Sequence, residues 1–438
     1  MTDMYELAIV GMGPAGIGIA TALQGTDMLR KTICFERGSE IESKNCVVLN
    51  NMPCCNDKYC HIISGIGGAS NLSSGKLSFL PAGSGLIRFF NNEHELKELM
   101  LNVIRTFQSE TGLTKINIDS SIVNDTQQKF DANNITYKYY DVYEFEGKRY
   151  REYLSNLMLC LISEGLCVHN NSEIISIMHD AASSFSITAT ENGFTKSYRV
   201  RNVVFAGGSS EIGNYLLSDY TDTSKTSYEI GVRIEAKTTC FGDSLDVHGD
   251  LKLKYNSGRT YCVTKSGAIV SYKTSGLSLL EGYIDTDKTT VYTNLAVLIK
   301  TKNASDFNEF LNKYRTIYNG VPIRQKYTDY LLGIASTNPV FTTLASSRLG
   351  DINSLFTDSI NHALIEFINH VIVESMGLNP KDLIIVAPEL KIARDIQLSD
   401  KFEVDKNLYT VGAATGLFRG ILQSFCSGIQ CGKYIVEG

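Results

Sequence analysis

The chain has 438 residues and a mass of 48.4 kDa, too much for one compact core, so two domains are expected. Hydrophobic residues make up 43% and charged residues 20%, which excludes a disordered chain. A net charge of −6 leaves no basic excess for nucleic acid, and no apolar run of about 18 residues occurs to span a membrane. The start, Met1 to Tyr5, lacks a basic leader and points to a cytoplasmic protein.

Taken in chain order, Tyr5 to Val10 ends in the unbroken apolar run Leu7-Ala8-Ile9-Val10, the pattern of a buried parallel strand. Gly11-Met12-Gly13-Pro14-Ala15-Gly16 follows, and Ile17 to Leu23 reads as a helix with small Gly18 and Ala20. A second strand, Thr32-Ile33-Cys34-Phe35, runs into Glu36 and Arg37, with Glu36 20 residues after Gly16. Each residue has a physical task. Gly11 permits the tight turn, Gly13 lets backbone approach a pyrophosphate, and Gly16 lets helix and strand pack closely. The helix N-terminus offers unpaired amides to phosphate. Glu36 can accept both ribose hydroxyl protons, and its charge argues against a 2′-phosphate. Strand, glycines, helix, strand and acid in this order predict a dinucleotide site.

Cys46, Cys54, Cys55 and Cys60 then fall within 15 residues. Cys55 and Cys60 form a C-x4-C that a flavin-linked thiol–disulfide enzyme would use, with Lys58 and His61 favouring a thiolate. All four thiols could instead hold zinc or an iron–sulfur cluster, although adjacent Cys54 and Cys55 are awkward for tetrahedral chelation. The third reading is packed loop thiols. A second glycine-rich stretch, Ser64 to Leu77, contains Gly67-Gly68-Ala69-Ser70 and Lys76. NAD has no need of it, whereas the longer FAD needs further close-approach backbone. Val203-Val204-Phe205-Ala206-Gly207-Gly208 reads as a buried strand ending in glycines. Asn407 to Gly416 is another, closing on Gly412-Ala413-Ala414-Thr415-Gly416, and a helix from about Gly420 and Ile421 to Val436 can aim its N-terminus at a flavin.

These residues resemble the glutathione-reductase-type FAD-binding oxidoreductases, and within them the FAD-dependent dehydrogenase family. The family's GGAGxxSDGK stretch is matched by Gly67-Gly68-Ala69-Ser70-Asn71-Leu72-Ser73-Ser74-Gly75-Lys76. Its central RTFC segment is matched by Arg259-Thr260-Tyr261-Cys262, and its C-terminal segments by Glu389-Leu390-Lys391 and Arg419-Gly420-Ile421-Leu422-Gln423. The resemblance implies an FAD-dependent oxidoreductase working at the flavin N5 on a small molecule. Ser70 and Ser74 depart from the family's Gly and Asp, and Ala413 replaces an Asp that bonds the ribityl–phosphate end of FAD. The lost carboxylate leaves open a flavin-binding module with little turnover.

The expected fold is α/β: a discontinuous Rossmann-like FAD-binding domain of residues 1–80, 150–215 and 385–438, a mostly helical insertion over 81–149, and an α+β substrate domain over 216–384. Tyr150 to Glu164 and Glu93 to Phe107 read as helices, and Glu173 to Met178 as a strand whose Ile174 backbone can touch adenine. Glu229 to Glu235, Tyr261 to Val263 and Thr290 to Ile299 read as strands, and Ser305 to Tyr314 and Asp358 to Ser375 as helices. Lys76 is placed to support a reduced flavin, and Arg419 to bind an anionic substrate or a flavin carbonyl. His169 and His248 show no partner at useful spacing and are expected on the surface. No second GxGxxG with an acid occurs in 216–384, so electrons come from the substrate, a transiently bound NAD(P)H or a partner protein.

Overall fold

The computed structural model describes residues 4–50, 52–72, 75–180, 184–284 and 289–437; Ser73 and Ser74 of the second glycine-rich stretch lie outside these. Tyr5–Val10 is the middle of the first sheet. It runs parallel to Thr32–Phe35 on one side and to Phe194–Phe205 on the other. Cys167–His169 adds beyond Thr32–Phe35, and Leu408–Thr410 beyond Phe194–Phe205, both parallel. Leu7, Ala8 and Ile9 have no exposed surface, which is why the apolar run is unbroken rather than alternating. Parallel neighbours need a crossover, supplied first by the helix Pro14–Ala22. Phe194–Phe205 serves two pairings. Its first half pairs antiparallel with Ser184–Glu191, which pairs in turn with Ser172–Asp180, while its second half joins Tyr5–Val10.

Pro14–Ala22 crosses the C-terminal helix Ile421–Glu437 backbone to backbone. A Cβ added at Gly18 would lie 2.3 Å from the Phe425 carbonyl oxygen, and one at Gly428 would lie 2.0 Å from that of Ala15. No side chain larger than hydrogen fits at either crossing point.

The second sheet is antiparallel at its centre, where Thr221–Lys237 lies between Ile384–Ile396 and Tyr292–Thr301, with Gly258–Thr264 beyond. Strand alternation divides its faces. Ile230, Val232 and Ile234 pack with Phe310 and Tyr314 of the helix Ala304–Tyr318 and with Leu364 and Phe367 of Asp358–Phe367. Arg233 and Glu235 point the other way and are buried all the same. Over that second face lies the hairpin Ala268–Thr274 and Leu277–Tyr283, with Ile269 and Leu280 packed on Val386.

Four expectations change. Ile384–Ile396 pairs with Thr221–Lys237 and Ile323–Lys326, so the second unit runs to 396 and the segment returning to the first sheet starts after it rather than at 385. The 81–149 insertion is shared between the units. Phe107 of the helix Glu93–Thr111 meets Tyr150 and Phe425 of the first core, while Thr136–Tyr137 joins the second sheet. The expected helix Asp358 to Ser375 changes to a π-helical turn pattern over Ile368–Ser375. Finally, the two histidines are not bare surface groups. His248 is 2% exposed, receives the Asp250 amide at 2.8 Å, and is held down to about pH 4 because burial disfavours the imidazolium. His169 bonds a cysteine and a glutamate. Among the described residues no helix is long and apolar enough to cross a membrane.

Candidate nucleotide and substrate site

Gly11 has φ +101°, and a Cβ there would lie 2.6 Å from Gly207 Cα. The turn leaving the first strand therefore touches the Ala206-Gly207-Gly208 turn directly. A Cβ on Gly16 would lie 2.0 Å from the Gly11 carbonyl oxygen, so the helix can follow at once only with glycine there. Gly13 differs. The nearest atom to a Cβ at that position is Gly68 Cα at 3.9 Å, and at Gly208 nothing lies within 4 Å. Pro14, at the first helical position, removes no needed amide, and the amides of Ala15 and Gly16 have no carbonyl one turn back to bond. The helix N-terminus thus opens on a groove with Gly13 and Gly208 along it. These residues fit a pyrophosphate.

Gly67 donates to the Met12 carbonyl at 2.8 Å, which fastens the second glycine-rich stretch beside the first. Ser70 is buried and spends its hydroxyl on the Gly67 carbonyl at 2.6 Å and on Tyr150 at 3.1 Å, so it is a brace of this turn; Ala69 is exposed. Lys44, which the sequence did not single out, is buried and donates to the Gly68 carbonyl. Burial lowers its pKa to about 8 against the pull of nearby Glu36.

Glu36 departs most from expectation. Met12 donates to one carboxylate oxygen at 3.0 Å, and Gly38 and Gly65 donate to the other at 2.9 and 2.8 Å. A carboxylate offers about four acceptor positions. Three are taken by backbone, so a two-hydroxyl grip on ribose is not available in this arrangement. Glu36 instead ties three loops together at the strand end. Arg37 Nε donates to Ser64 at 2.9 Å. Ile174 has a buried side chain, and its segment lies against the same turn through Ser172 N to Glu36 O and Asn171 N to Gly38 O, both 2.9 Å.

The loop 412–420 leads from the first helix toward the second sheet. A Cβ at Gly412 would lie 2.8 Å from Ala15 Cβ, and one at Gly416 would lie 2.3 Å from the Arg394 carbonyl oxygen. Thr415 is buried; its hydroxyl donates to Gly412 O at 2.8 Å and accepts from Leu417 N at 3.2 Å, so it is spent inside the loop. Ala413 is half-buried. Arg419 donates through Nη2 to Ile392 O at 2.6 Å, while its Nη1 is buried with no hydrogen-bond partner among the described residues. Leaving such a donor unmet costs about 1–3 kcal/mol, which a ligand oxygen would offset. Gly420 has φ +120° and precedes Ile421, the first residue of the C-terminal helix.

Arg419 reaches the charged inner face of the second sheet. Arg233, fully buried, donates to Asn294 at 2.8 Å and to the Cys262 carbonyl at 2.7 Å, and sits 3.3 Å from Glu389 and 3.7 Å from Glu281. Lys391 bonds Glu281 at 2.8 Å and lies 5.2 Å from the Tyr261 ring centre. The two segments that carried the central and C-terminal resemblance therefore meet here. Burial alone would raise the Glu281 carboxyl, but Lys391 and Arg233 outweigh it and hold it below the ordinary range; for Glu389, burial wins and raises it. Cys262 has φ +48° at a bulge in its strand, a conformation costly for a side chain with Cβ and fixed here by the bond from Arg233. Lys76, expected at the flavin, instead donates to Gly249 O at 2.8 Å and Val263 O at 2.9 Å and clamps the first unit to the second.

The cysteine cluster divides. Cys46 is buried, and Cys54 and Cys60 pack with it around Val48, Ile62 and Val270. Cys55 stands outside this cluster, exposed, with its thiol on Asp57 at 3.1 Å; that bond raises its pKa. Cys55 and Cys60 are both free thiols, one exposed and one half-buried, and His61 serves Asp57 at 2.8 Å rather than a thiol. Among the described residues no three His, Cys, Asp or Glu side chains converge as metal ligands would.

No family model matches the chain, and no curated protein matches it. Solved structures do. The flavin-dependent halogenase CmlS is 14% identical over 94% of this chain and 54% of its own, with a TM-score of 0.38. A flavoprotein/dehydrogenase from Cytophaga hutchinsonii is 12% identical over 99% and 78%, at 0.43, and glycine oxidase from Geobacillus kaustophilus is 13% identical over 100% and 95%, at 0.41. The chain spans about half the length of the first. None of the three reaches a TM-score of 0.5.

Proposed function

We propose that the protein is an FAD-dependent oxidoreductase acting by hydride transfer at the flavin N5 on a small-molecule substrate. The observation that carries this is the open helix N-terminus at Gly13, reached by three separate glycine turns, with a continuous loop running from it to an unmatched Arg419 donor. Gly13, Pro14, Ala15 and Gly16 would hold the pyrophosphate, and Gly207 and Gly208 border the nucleotide side. Gly412 to Gly416 and Arg419 would follow the cofactor toward the second sheet. Bound there, FAD supplies hydride acceptance and donation; the protein supplies position and charge. Arg419 Nη1 is placed to donate to an anionic oxygen. The finer kinship with the FAD-dependent dehydrogenase family rests on the segments quoted for it. Electrons enter or leave through the substrate or a transient NAD(P)H.

Gly13→Val tests the reading. The nearest atom to the new Cβ is Gly68 Cα at 3.9 Å, and the residue's φ of −75° suits Val, so the fold should stand. The methyl groups would fill the pyrophosphate position. FAD titration of apo-protein should show affinity reduced at least about a hundredfold, roughly 2.7 kcal/mol. Equal affinity in both forms would refute this site.

Ala413→Asp separates an enzyme from a degenerate binding module. A carboxylate there adds a hydrogen-bond acceptor for ribityl hydroxyls but repels pyrophosphate. FAD affinity should change by no more than about a hundredfold, in either direction. Wild type that fails at tens of micromolar while the variant binds tightly would favour the module and remove the enzyme reading.

A further inference from the structure

Cys167 and His169 are alternate residues on the outermost strand of the first sheet, so their side chains share one face. Cys167 Sγ lies 3.4 Å from His169 Nε2, and His169 Nδ1 lies 2.9 Å from Glu191. The carboxylate can only accept, so Nδ1 carries a proton and Nε2 is directed at sulfur. Glu191 is itself fixed by Lys196 at 2.7 Å and Tyr198 at 2.6 Å. Tyr5 Oη completes the surroundings at 3.8 Å from the thiol, and Cys34 lies on the neighbouring strand. Cys167 and His169 are both partly exposed.

We propose that Cys167, His169 and Glu191 form a nucleophilic thiol site that exchanges with low-molecular-weight disulfides. Nucleophile, base and orienting carboxylate stand in hydrogen-bond sequence, the arrangement that activates a thiol. The His169 bond pulls the Cys167 thiol below its ordinary range, and the thiol in turn raises the imidazole. By contrast, burial pushes up the thiols of Cys34, Cys262, Cys426 and Cys431. In the exchange, Cys167 gives its thiol proton to His169 Nε2, and its sulfur attacks one sulfur of the disulfide. The S–S bond breaks, the leaving thiolate takes its electron pair, and it receives the proton held at His169 Nε2. The products are a Cys167 mixed disulfide and one free small thiol. Nothing in this site depends on the nucleotide groove.

Oxidised glutathione added at one equivalent to the reduced full-length protein is the probe, with the adduct located by mass spectrometry. At pH 6.5 Cys167 should react about tenfold or more faster than exposed Cys55 and Cys160, and His169→Gln should slow it about tenfold, the two rates converging above about pH 9. First modification at Cys55 or Cys160, or a rate indifferent to His169→Gln, overturns the proposal. The wild-type profile gives a check that needs no variant. Its Cys167 rate should stop climbing at a lower pH than the rate of Cys55, whose bond to Asp57 raises it, and a Cys167 rate that climbs together with that of Cys55 would overturn the proposal equally.

Discussion

Arg233→Met should destabilise the second unit by about 3–5 kcal/mol, read as a lower urea midpoint or lost soluble expression. The reason is arithmetic of charge. Arg233 and Lys391 face Glu389 and Glu281 across the same buried patch, two cations against two anions. Removing Arg233 leaves one carboxylate with no counter-charge, away from water, and strips the bonds from Asn294 and the Cys262 carbonyl. A methionine fills the volume, so the loss is electrostatic rather than a cavity. Adding Glu389→Leu restores neutrality, because Glu281 keeps Lys391. The double variant should regain much of the lost stability. An unchanged midpoint in the single variant, within about 0.5 kcal/mol, would show that the four groups do not act as one set.

Gly428→Val should cost about 3 kcal/mol, the upper part of the usual overpacking range. In an ordinary helix, replacing glycine stabilises, because glycine is a poor helix former. Here the sign reverses, since the first atom of any side chain would fall 2.0 Å from a backbone oxygen of the first helix. Backbone cannot rotate aside as a side chain can. Gly147→Ala is the control. Gly147 begins a helix and a Cβ there meets nothing within 4 Å, so that variant should gain up to about 1 kcal/mol. Comparable midpoints for the two variants would mean the helix crossing is looser than described.

The residues that announced themselves were those whose neighbours in sequence are also neighbours in space. Leu7 to Glu36 reads as strand, turn, helix and strand because one local unit sets all of it. The C-terminal helix was legible for the same reason. The place of Ile384–Ile396 is not local, because it depends on pairing with Thr221–Lys237, more than a hundred residues earlier. Nothing local to Glu36 shows that Gly65 will return to bond it. On the inner face of the second sheet, Lys391 is marked by the resemblance alone, and Arg233 and Glu281 look like ordinary surface charges until three chain segments are laid together. His169 had half a signal, the C-x-H alternation with Cys167, but Glu191 arrives only through the strand meander.

The backbone crossing of the first and last helices also bears on how the chain is made. Tyr5–Val10 and the helix after it leave the ribosome early, while Phe194–Phe205 and Ile421–Glu437, which cover them, come much later. At about 5–20 residues per second, the interval before the last helix emerges is on the order of tens of seconds. Until Phe194–Phe205 emerges, the apolar run Leu7 to Val10 has only Thr32–Phe35 beside it, whereas every strand of the second sheet, from Thr136–Tyr137 onward, has emerged once Ile396 is made. The unit translated first is therefore the one completed last, and its nascent form has most need of a holding chaperone.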